Sequence, residues 1–257
     1  MNNNLTQKNK VTIIAGPCSI ESNKQIEQVC AFLNNNGLSW IRGGAFKPRT
    51  NLHSFQGLGQ DGLDILRKNA RKFNLKSLTE ITSVVNADTI YNYMDGAWIG
   101  TRNMTNYELL KECGRVSAKH NKPIMLKRGM ASTINEWVSA SEYITEFNKN
   151  IFLCERGIRT FETSTRFTLD ISSVAVIKKQ TNIPICVDVS HSVGHSDLVP
   201  SVACAALAAG ADAIMIEVHP SPRSALSDGS QQLNFDQFEN LLEKLRNIAH
   251  AINKEII

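Results

Sequence analysis

Leu38-Ser39-Trp40-Ile41-Arg42-Gly43-Gly44-Ala45-Phe46-Lys47-Pro48-Arg49-Thr50 is a short apolar run that turns into a basic, glycine-shaped loop. Leu38 to Arg42 reads as a strand. The loop after it gathers Arg42, Lys47 and Arg49 with two glycines and a proline. Glycines permit close backbone approach, and arginine offers a planar fork that matches phosphate and carboxylate oxygens. A basic loop alone is more often a solvated surface. Here the same pattern, an apolar run closing on a polar or charged end, recurs along the whole chain.

The runs expected as strands are Val11 to Ala15, Leu38 to Arg42, Leu75 to Thr79, Ala97 to Gly100, Pro123 to Leu126, Ile151 to Cys154, Pro184 to Val187 and Ala213 to Ile216. Between them lie stretches with helical spacing: Asn23 to Asn35, Gly62 to Phe73, Ser83 to Met94, Tyr107 to His120, Ser132 to Phe147, Leu169 to Lys179, Asp197 to Ala209 and Phe235 to Ile252. Glu136 stands where it can form a reciprocal cap with Thr133. The strands are apolar on both faces, as in a parallel sheet covered by helices. Eight strand-then-helix units in 257 residues predict an α/β fold, a single (β/α)8 TIM barrel. An open doubly wound sheet is the runner-up. It lacks the Gly-x-Gly-x-x-Gly turn of a dinucleotide crevice, and only a closed barrel brings all eight strand ends round one pocket.

Composition narrows the function. Lys and Arg number 28 against 24 Asp and Glu, a net charge of +4. That gives no footing for nucleic-acid binding, which wants a basic stripe with aromatics. No apolar run approaches the roughly 18 residues of a membrane span, and the Asn- and Lys-rich start is no secretory signal. Residues 1–10 are expected to be a disordered tail, and 11–257 the barrel, with no fused regulatory domain. The six cysteines are scattered without a Cys-x-x-Cys pair. Reduced thiols and a cytoplasmic location are the expectation. Five of them read as core, and Cys18, in Gly16-Pro17-Cys18-Ser19, is the exception.

Two sets of residues stand at the expected strand ends. The cationic set is Arg42, Lys47, Arg49, Arg102, Lys127, Arg128 and Arg156. So many cations in one pocket repel one another unless anions fill it, which points to substrates carrying phosphate or carboxylate. Arg128 and Arg159 are equally compatible with surface charge. The second set is Cys18, His191, Glu217 and Asp228. A thiolate, an imidazole and two carboxylates suit a divalent transition metal. Their spacing alone is a weak signal, because none lie at a short metal-binding interval. The barrel raises it by setting strands one, seven and eight side by side. His195 and His219 compete for the imidazole role, and His191 is favoured because it follows its strand directly. A metal would polarise a carbonyl, and the cations would hold charge as it develops. Lys127 could donate a proton or form a Schiff base.

Several segments resemble one family. They include Gly16-Pro17-Cys18-Ser19-Ile20-Glu21-Ser22, Phe46-Lys47-Pro48-Arg49-Thr50, Gly100-Thr101-Arg102-Asn103-Met104, Leu126-Lys127-Arg128-Gly129, Cys154-Glu155-Arg156-Gly157, Asp188-Val189-Ser190-His191 and Glu217-Val218-His219-Pro220. Together they resemble the 3-deoxy-D-arabino-heptulosonate-7-phosphate (DAHP) synthases, type I beta subfamily, near the 3-deoxy-D-manno-octulosonate-8-phosphate (KDO8P) synthases. The resemblance runs from about Val11 to the closing helix. It implies a metal-dependent condensation of phosphoenolpyruvate with erythrose 4-phosphate, the first step of the shikimate pathway to chorismate and the aromatic amino acids.

It further implies Cys18, His191, Glu217 and Asp228 as ligands for Mn, Fe, Zn or Co. Arg42, Arg102, Lys127 and Arg156 are implied to hold phosphoenolpyruvate, and Lys47 to be a proton donor between the substrates. Arg49 and Thr50 would meet erythrose 4-phosphate, and Glu80 would stand near the phosphate and the attacking water. A homodimer or homotetramer is implied too. Lys47-Pro48-Arg49-Thr50 is the heptulosonate version of that loop; the octulosonate enzymes, which take arabinose 5-phosphate, carry an Ala-Asn-Arg-Ser-like one. Asn51-Leu52-His53, Val189, Gly194-His195 and Trp98 depart from the usual family pattern.

Overall fold

The structure is a computed structural model, and it describes residues 9–47 and 53–257. Its elements are β1 (Lys10–Gly16), α1 (Asn23–Asn35), β2 (Trp40–Arg42), α2 (Gln60–Lys72), β3 (Lys76–Ile81), α3 (Val84–Tyr93), β4 (Gly96–Ile99), α4 (Tyr107–Lys119) and β5 (Ile124–Lys127). They continue with α5 (Ile134–Thr145), β6 (Ile151–Glu155), α6 (Ser172–Gln180), β7 (Ile185–Asp188), α7 (Val189–Val193), α8 (Val199–Ala208), β8 (Ala213–Glu217), α9 (Phe235–Ala251) and β9 (Glu255–Ile256). β1 to β8 are all parallel, each beside its sequence neighbour. The sheet closes where β1 pairs with β8 (Thr12 opposite Ala213 to Gly16 opposite Glu217) and with β2 (Ile14 opposite Trp40). This is the (β/α)8 barrel that the alternation of units predicts.

Two apolar layers hold it. The larger lies between strands and helices, with Ile13, Ile41, Ile99, Leu126, Leu153 and Ile216 packed on helix residues such as Leu33, Leu66, Ile90, Leu110, Ile144 and Leu242. The smaller fills the lumen with Ile14, Trp40, Leu78, Trp98, Met125, Phe152, Cys154, Cys186, Ala213 and Met215. Fully burying an aliphatic or aromatic side chain contributes roughly 1.5–3 kcal/mol each. Side chains alternate along a strand, so strand residues divide between the two layers.

Most helix ends follow local chemistry. Thr133 and Glu136 form the expected capping box, Thr133 N donating to Glu136 Oε2 at 2.7 Å and Glu136 N to Thr133 Oγ1 at 3.2 Å. Ser83 with Asn86 and Asn234 with Gln237 do the same for α3 and α9.

Several boundaries shift from the sequence expectation by one to three residues, and two short elements are new. β2 starts at Trp40 rather than Leu38, because the Leu38 N–H closes the end of α1 by donating to Leu33 O at 3.0 Å. α6 starts at Ser172 rather than Leu169, where Asp170 Oδ1 accepts from Ser173 N at 3.2 Å. The short α7 follows β7 directly, capped by Asp188. β9 was not anticipated; its partner is β1 (Lys10 opposite Glu255), so Lys10 is strand rather than tail. No helix among the described residues is long and apolar enough to cross a membrane.

Candidate active site

The lumen alternation builds the site. On each strand the residue two positions beyond a lumen residue projects to the same interior face, nearer the C-terminal mouth. Trp40 leads to Arg42, Leu78 to Glu80, Trp98 to Gly100, Met125 to Lys127, Cys154 to Arg156, Cys186 to Asp188 and Met215 to Glu217. The apolar plug thus ends in a ring of charged groups. Gly100 is the small member for a steric reason: a Cβ there would stand 2.0 Å from Glu80 Oε1. Arg42, Lys47, Glu80, Arg102, Lys127, Arg156, His191 and Asp228 line one cavity with Trp98, Thr101, Met130, Arg166 and Phe167.

The cations are held in different ways. Arg42 is fully buried and donates to Glu217 Oε1 at 2.6 Å and to Cys18 O at 3.1 Å. Burial works against its charge, but Glu217, the Cys18 sulfur and Asp188 outweigh it, so its pKa is raised. Lys127 Nζ donates to Asp188 Oδ2 at 2.5 Å. Lys47 folds back over Cys18, its Nζ 3.0 Å from Sγ and 3.2 Å from the Cys18 carbonyl oxygen. Burial again opposes that charge, and Cys18 with Glu217 raises the pKa overall.

Arg156 differs. It is buried over the Phe167 ring, 3.8 Å from the centroid, and makes no ion pair among the described residues. Burial, with Arg166 nearby and despite Asp188, brings its pKa down to about 10. A buried cation of this kind is stabilised by an incoming anion. Arg102 sits exposed in a 3-10 turn (Thr101–Asn103) at the rim.

One ligand atom each from Cys18, His191 and Asp228 lies within 4.8 Å of the others. The donor set fits a divalent transition metal: a soft sulfur, an imidazole and a carboxylate. His191 Nδ1 faces Asp188 Oδ2 at 2.9 Å, which fixes the proton on Nδ1 and leaves the Nε2 lone pair for a ligand. Burial holds His191 toward the neutral form against the pull of Asp188 and Glu217. Burial, then Glu217, pushes the Cys18 thiol up to about 12, and the thiol lies against Asp228 Oδ2 at 3.2 Å. Burial opposes the charge of Asp228, yet Arg166, His191 and Lys47 hold its carboxyl down to about 2. Glu217 stands beside this cluster, Oε1 3.5 Å from His191 Nε2. It is engaged by Arg42 and, through Oε2, by Gln231 Nε2 at 2.7 Å.

The competing histidines sit elsewhere. His219 accepts from Ser221 N at 2.9 Å through Nδ1 and faces Glu21 through Nε2 at 3.4 Å, while His195 is exposed. Pro48, Arg49 and Thr50 lie outside the described residues. Arg159 is exposed, as a surface charge would be, but Arg128 is not. Arg128 is buried between Glu155 Oε2 at 2.7 Å and Asp170 Oδ2 at 3.0 Å.

Sequence reasoning also passed over Arg166, which lines the cavity and donates to Gln231 Oε1 at 2.7 Å. It lies in an irregular loop far from any strand end, where periodicity carries no signal. Glu155, the last residue of β6, has a role that its strand-end position does not signal. Its Oε1 accepts from the backbone N–H groups of Arg156 at 2.9 Å and Gly157 at 2.6 Å, which sets the turn that carries Arg156.

Comparison with known proteins gives the family. A phospho-2-dehydro-3-deoxyheptonate aldolase of Thermotoga maritima is 46% identical over 246 residues, 95% of this chain and 72% of that protein. A crystal structure of the Thermotoga maritima DAHP synthase superposes with a TM-score of 0.94 at 44% identity, covering 98% of this chain and 73% of the other. A truncated form of the Thermotoga maritima enzyme gives 0.90 at 42% identity, covering 98% and 91%. A 2-dehydro-3-deoxyphosphooctonate aldolase of Francisella philomiragia is more distant, at 28% over 95% of this chain and 93% of its own. Residues 4–254 match the DAHP synthetase I family, and the chain belongs to that family.

Proposed function

We propose that the chain condenses phosphoenolpyruvate with D-erythrose 4-phosphate and water to give 3-deoxy-D-arabino-heptulosonate 7-phosphate and inorganic phosphate, the entry to the shikimate pathway. The observation that carries this reading is one cavity in which Arg42, Lys47, Lys127 and Arg156 face a Cys18–His191–Asp228 cluster. The similarity to heptulosonate enzymes, well above that to octulosonate ones, supports erythrose 4-phosphate over arabinose 5-phosphate.

In this reading Arg156, Lys127, Arg42 and Arg102 hold the phosphate and carboxylate of phosphoenolpyruvate. Arg49 and Thr50 meet the phosphate of the aldose. Cys18, His191, Asp228 and the adjacent Glu217 hold a divalent metal, which supplies Lewis acidity toward the aldehyde when bound. The enol carbon C3 attacks the aldehyde carbon and forms the new C–C bond. Lys47, over the cluster, delivers a proton to the aldehyde oxygen as its charge develops. Positive charge left at C2 takes up water, whose proton passes to a neighbouring base; Glu80, a carboxylate that lines the cavity, is proposed for that role. The hemiketal phosphate then expels phosphate by C–O cleavage and becomes the ketone. Arg156 stabilises the charge on the leaving group.

By family resemblance the enzyme works as a homodimer or homotetramer. Light scattering at micromolar concentration tests that, and a monomer would refute it. The activity is tested by phosphate release from phosphoenolpyruvate with either aldose phosphate. Release with erythrose 4-phosphate alone is expected. Release with arabinose 5-phosphate instead would mean the octulosonate reaction.

A further inference from the structure

Two of the cavity's cations share one aromatic surface. Trp98 is buried in the lumen on β4, only 2% exposed. Arg42, from β2, places its guanidinium carbon 4.9 Å from the ring centroid of Trp98. Lys127, from β5, places Nζ 5.2 Å from the same ring. Both distances are in the range where the ring quadrupole attracts a cation. The rest of each cation's environment makes the contact matter. Arg42 spends its terminal nitrogens on Glu217 and the Cys18 carbonyl, while its buried Nε has no hydrogen-bond partner among the described residues. Among the described residues Lys127 is hydrogen-bonded at one point, Asp188, which leaves its direction to be set by what it packs against. The indole also lines the cavity, so its position defines the floor on which an anion would rest.

We infer that Trp98 is a positioning residue: its ring aims Arg42 and Lys127 into the cavity and thereby sets affinity for the enol phosphate. This rests on the reading above that those two cations receive phosphoenolpyruvate. Removing the aromatic face leaves a buried guanidinium and a buried ammonium without that support, held only by their carboxylate partners and free to swing about them. The aldose phosphate, held elsewhere, does not depend on it. The indole also reports on the site, because an anion that draws both cations changes the field at the ring.

The test is steady-state kinetics of wild type, Trp98→Phe and Trp98→Leu on the full chain, with tryptophan emission followed as phosphoenolpyruvate is added. The expected result is a KM for phosphoenolpyruvate raised roughly tenfold in Trp98→Leu, the product of two modest cation–π contacts. Trp98→Phe, which keeps a ring, should recover most of that loss, and the KM for erythrose 4-phosphate should stay unchanged in both. Wild-type emission should change on saturation, and Trp98→Phe should lose that change. Should Trp98→Leu fail to fold, the emission titration and the Phe variant still decide. An active Leu variant with an unchanged KM, equal shifts in both KM values, or an emission change that persists in Trp98→Phe would overturn the role of Trp98 alone. A wild-type enzyme silent toward phosphoenolpyruvate would overturn the functional reading beneath it.

Discussion

Lys127 Nζ lies 2.5 Å from Asp188 Oδ2, and the same oxygen stands 2.9 Å from His191 Nδ1. One buried carboxylate therefore joins a cation of the cavity to the imidazole of the Cys18–His191–Asp228 cluster. Burial opposes its charge, but His191 and Lys127 together hold its pKa well below the usual carboxylate range. Asp188→Asn should strand the Lys127 ammonium and release the His191 ring. Breaking a buried pair by removing one partner costs about 3–5 kcal/mol, and losing an outer carboxylate partner of a ligand histidine costs roughly 10- to 100-fold in metal affinity. Thermal melts and Mn²⁺ titration calorimetry measure both. Unchanged metal affinity in a folded variant would show that Asp188 does not orient His191.

The same contact speaks to imine chemistry. A lysine that attacks a carbonyl must be a free amine, whereas Lys127 is buried as the partner of Asp188. Borohydride treatment with phosphoenolpyruvate or its mixture with the aldose should leave the protein mass unchanged. A mass increase mapped to Lys127 would replace the metal-assisted reading with a Schiff-base one.

Metal binding should strengthen with pH. The Cys18 thiol, held up near 12 mainly by burial and by Glu217, keeps its proton at neutral pH in the metal-free protein. A thiolate ligand requires that proton to leave, so binding releases it. His191 is held toward neutrality and adds no proton release above its lowered pKa. Affinity for Zn²⁺ should rise by about tenfold per pH unit between pH 7 and 8, one proton leaving per ion. Cys18→Ser should weaken binding and flatten the slope. A pH-independent affinity in the wild-type protein would remove Cys18 from the ligand set.

Arg128 offers a stability test away from the reacting groups. It is buried between Glu155 and Asp170, and Glu155 also carries the turn that presents Arg156. Arg128→Ala leaves Glu155 buried without its counter-charge, at a cost of about 3–5 kcal/mol. Urea unfolding should show a lower midpoint. The KM for phosphoenolpyruvate should rise as the Arg156 turn loosens. An unchanged midpoint would return Arg128 to the surface-charge role that its sequence context suggested.

The barrel was legible because two periodicities coincide in this sequence. Runs such as Ile151 to Cys154 are apolar on both faces, and the stretches between them repeat at helical spacing. The ring of charged residues was legible for the same reason: Arg42, Lys127 and Glu217 stand at the last inward position of their strands. Convergence of Cys18, His191 and Asp228 was only suggested, since they lie far apart in sequence and depend on barrel closure between β1 and β8. Arg166 and the engagement of Glu217 by Gln231 were not legible. Both depend on how irregular loops fold over the mouth. The burial of Arg128 was misread because the carboxylate that closes over it, Asp170, comes from a loop 42 residues away. β9 was missed because two residues carry no period.

The proposed reaction needs the cation-lined cavity and the Cys18–His191–Asp228 cluster together. Its most direct test is phosphate release from phosphoenolpyruvate and erythrose 4-phosphate by metal-stripped protein, before and after Mn²⁺ is restored, with Cys18→Ala alongside. Silence without metal, recovery on addition to the wild-type chain, and no recovery in the variant are expected. Full turnover by stripped wild-type protein, or by Cys18→Ala, would contradict that requirement.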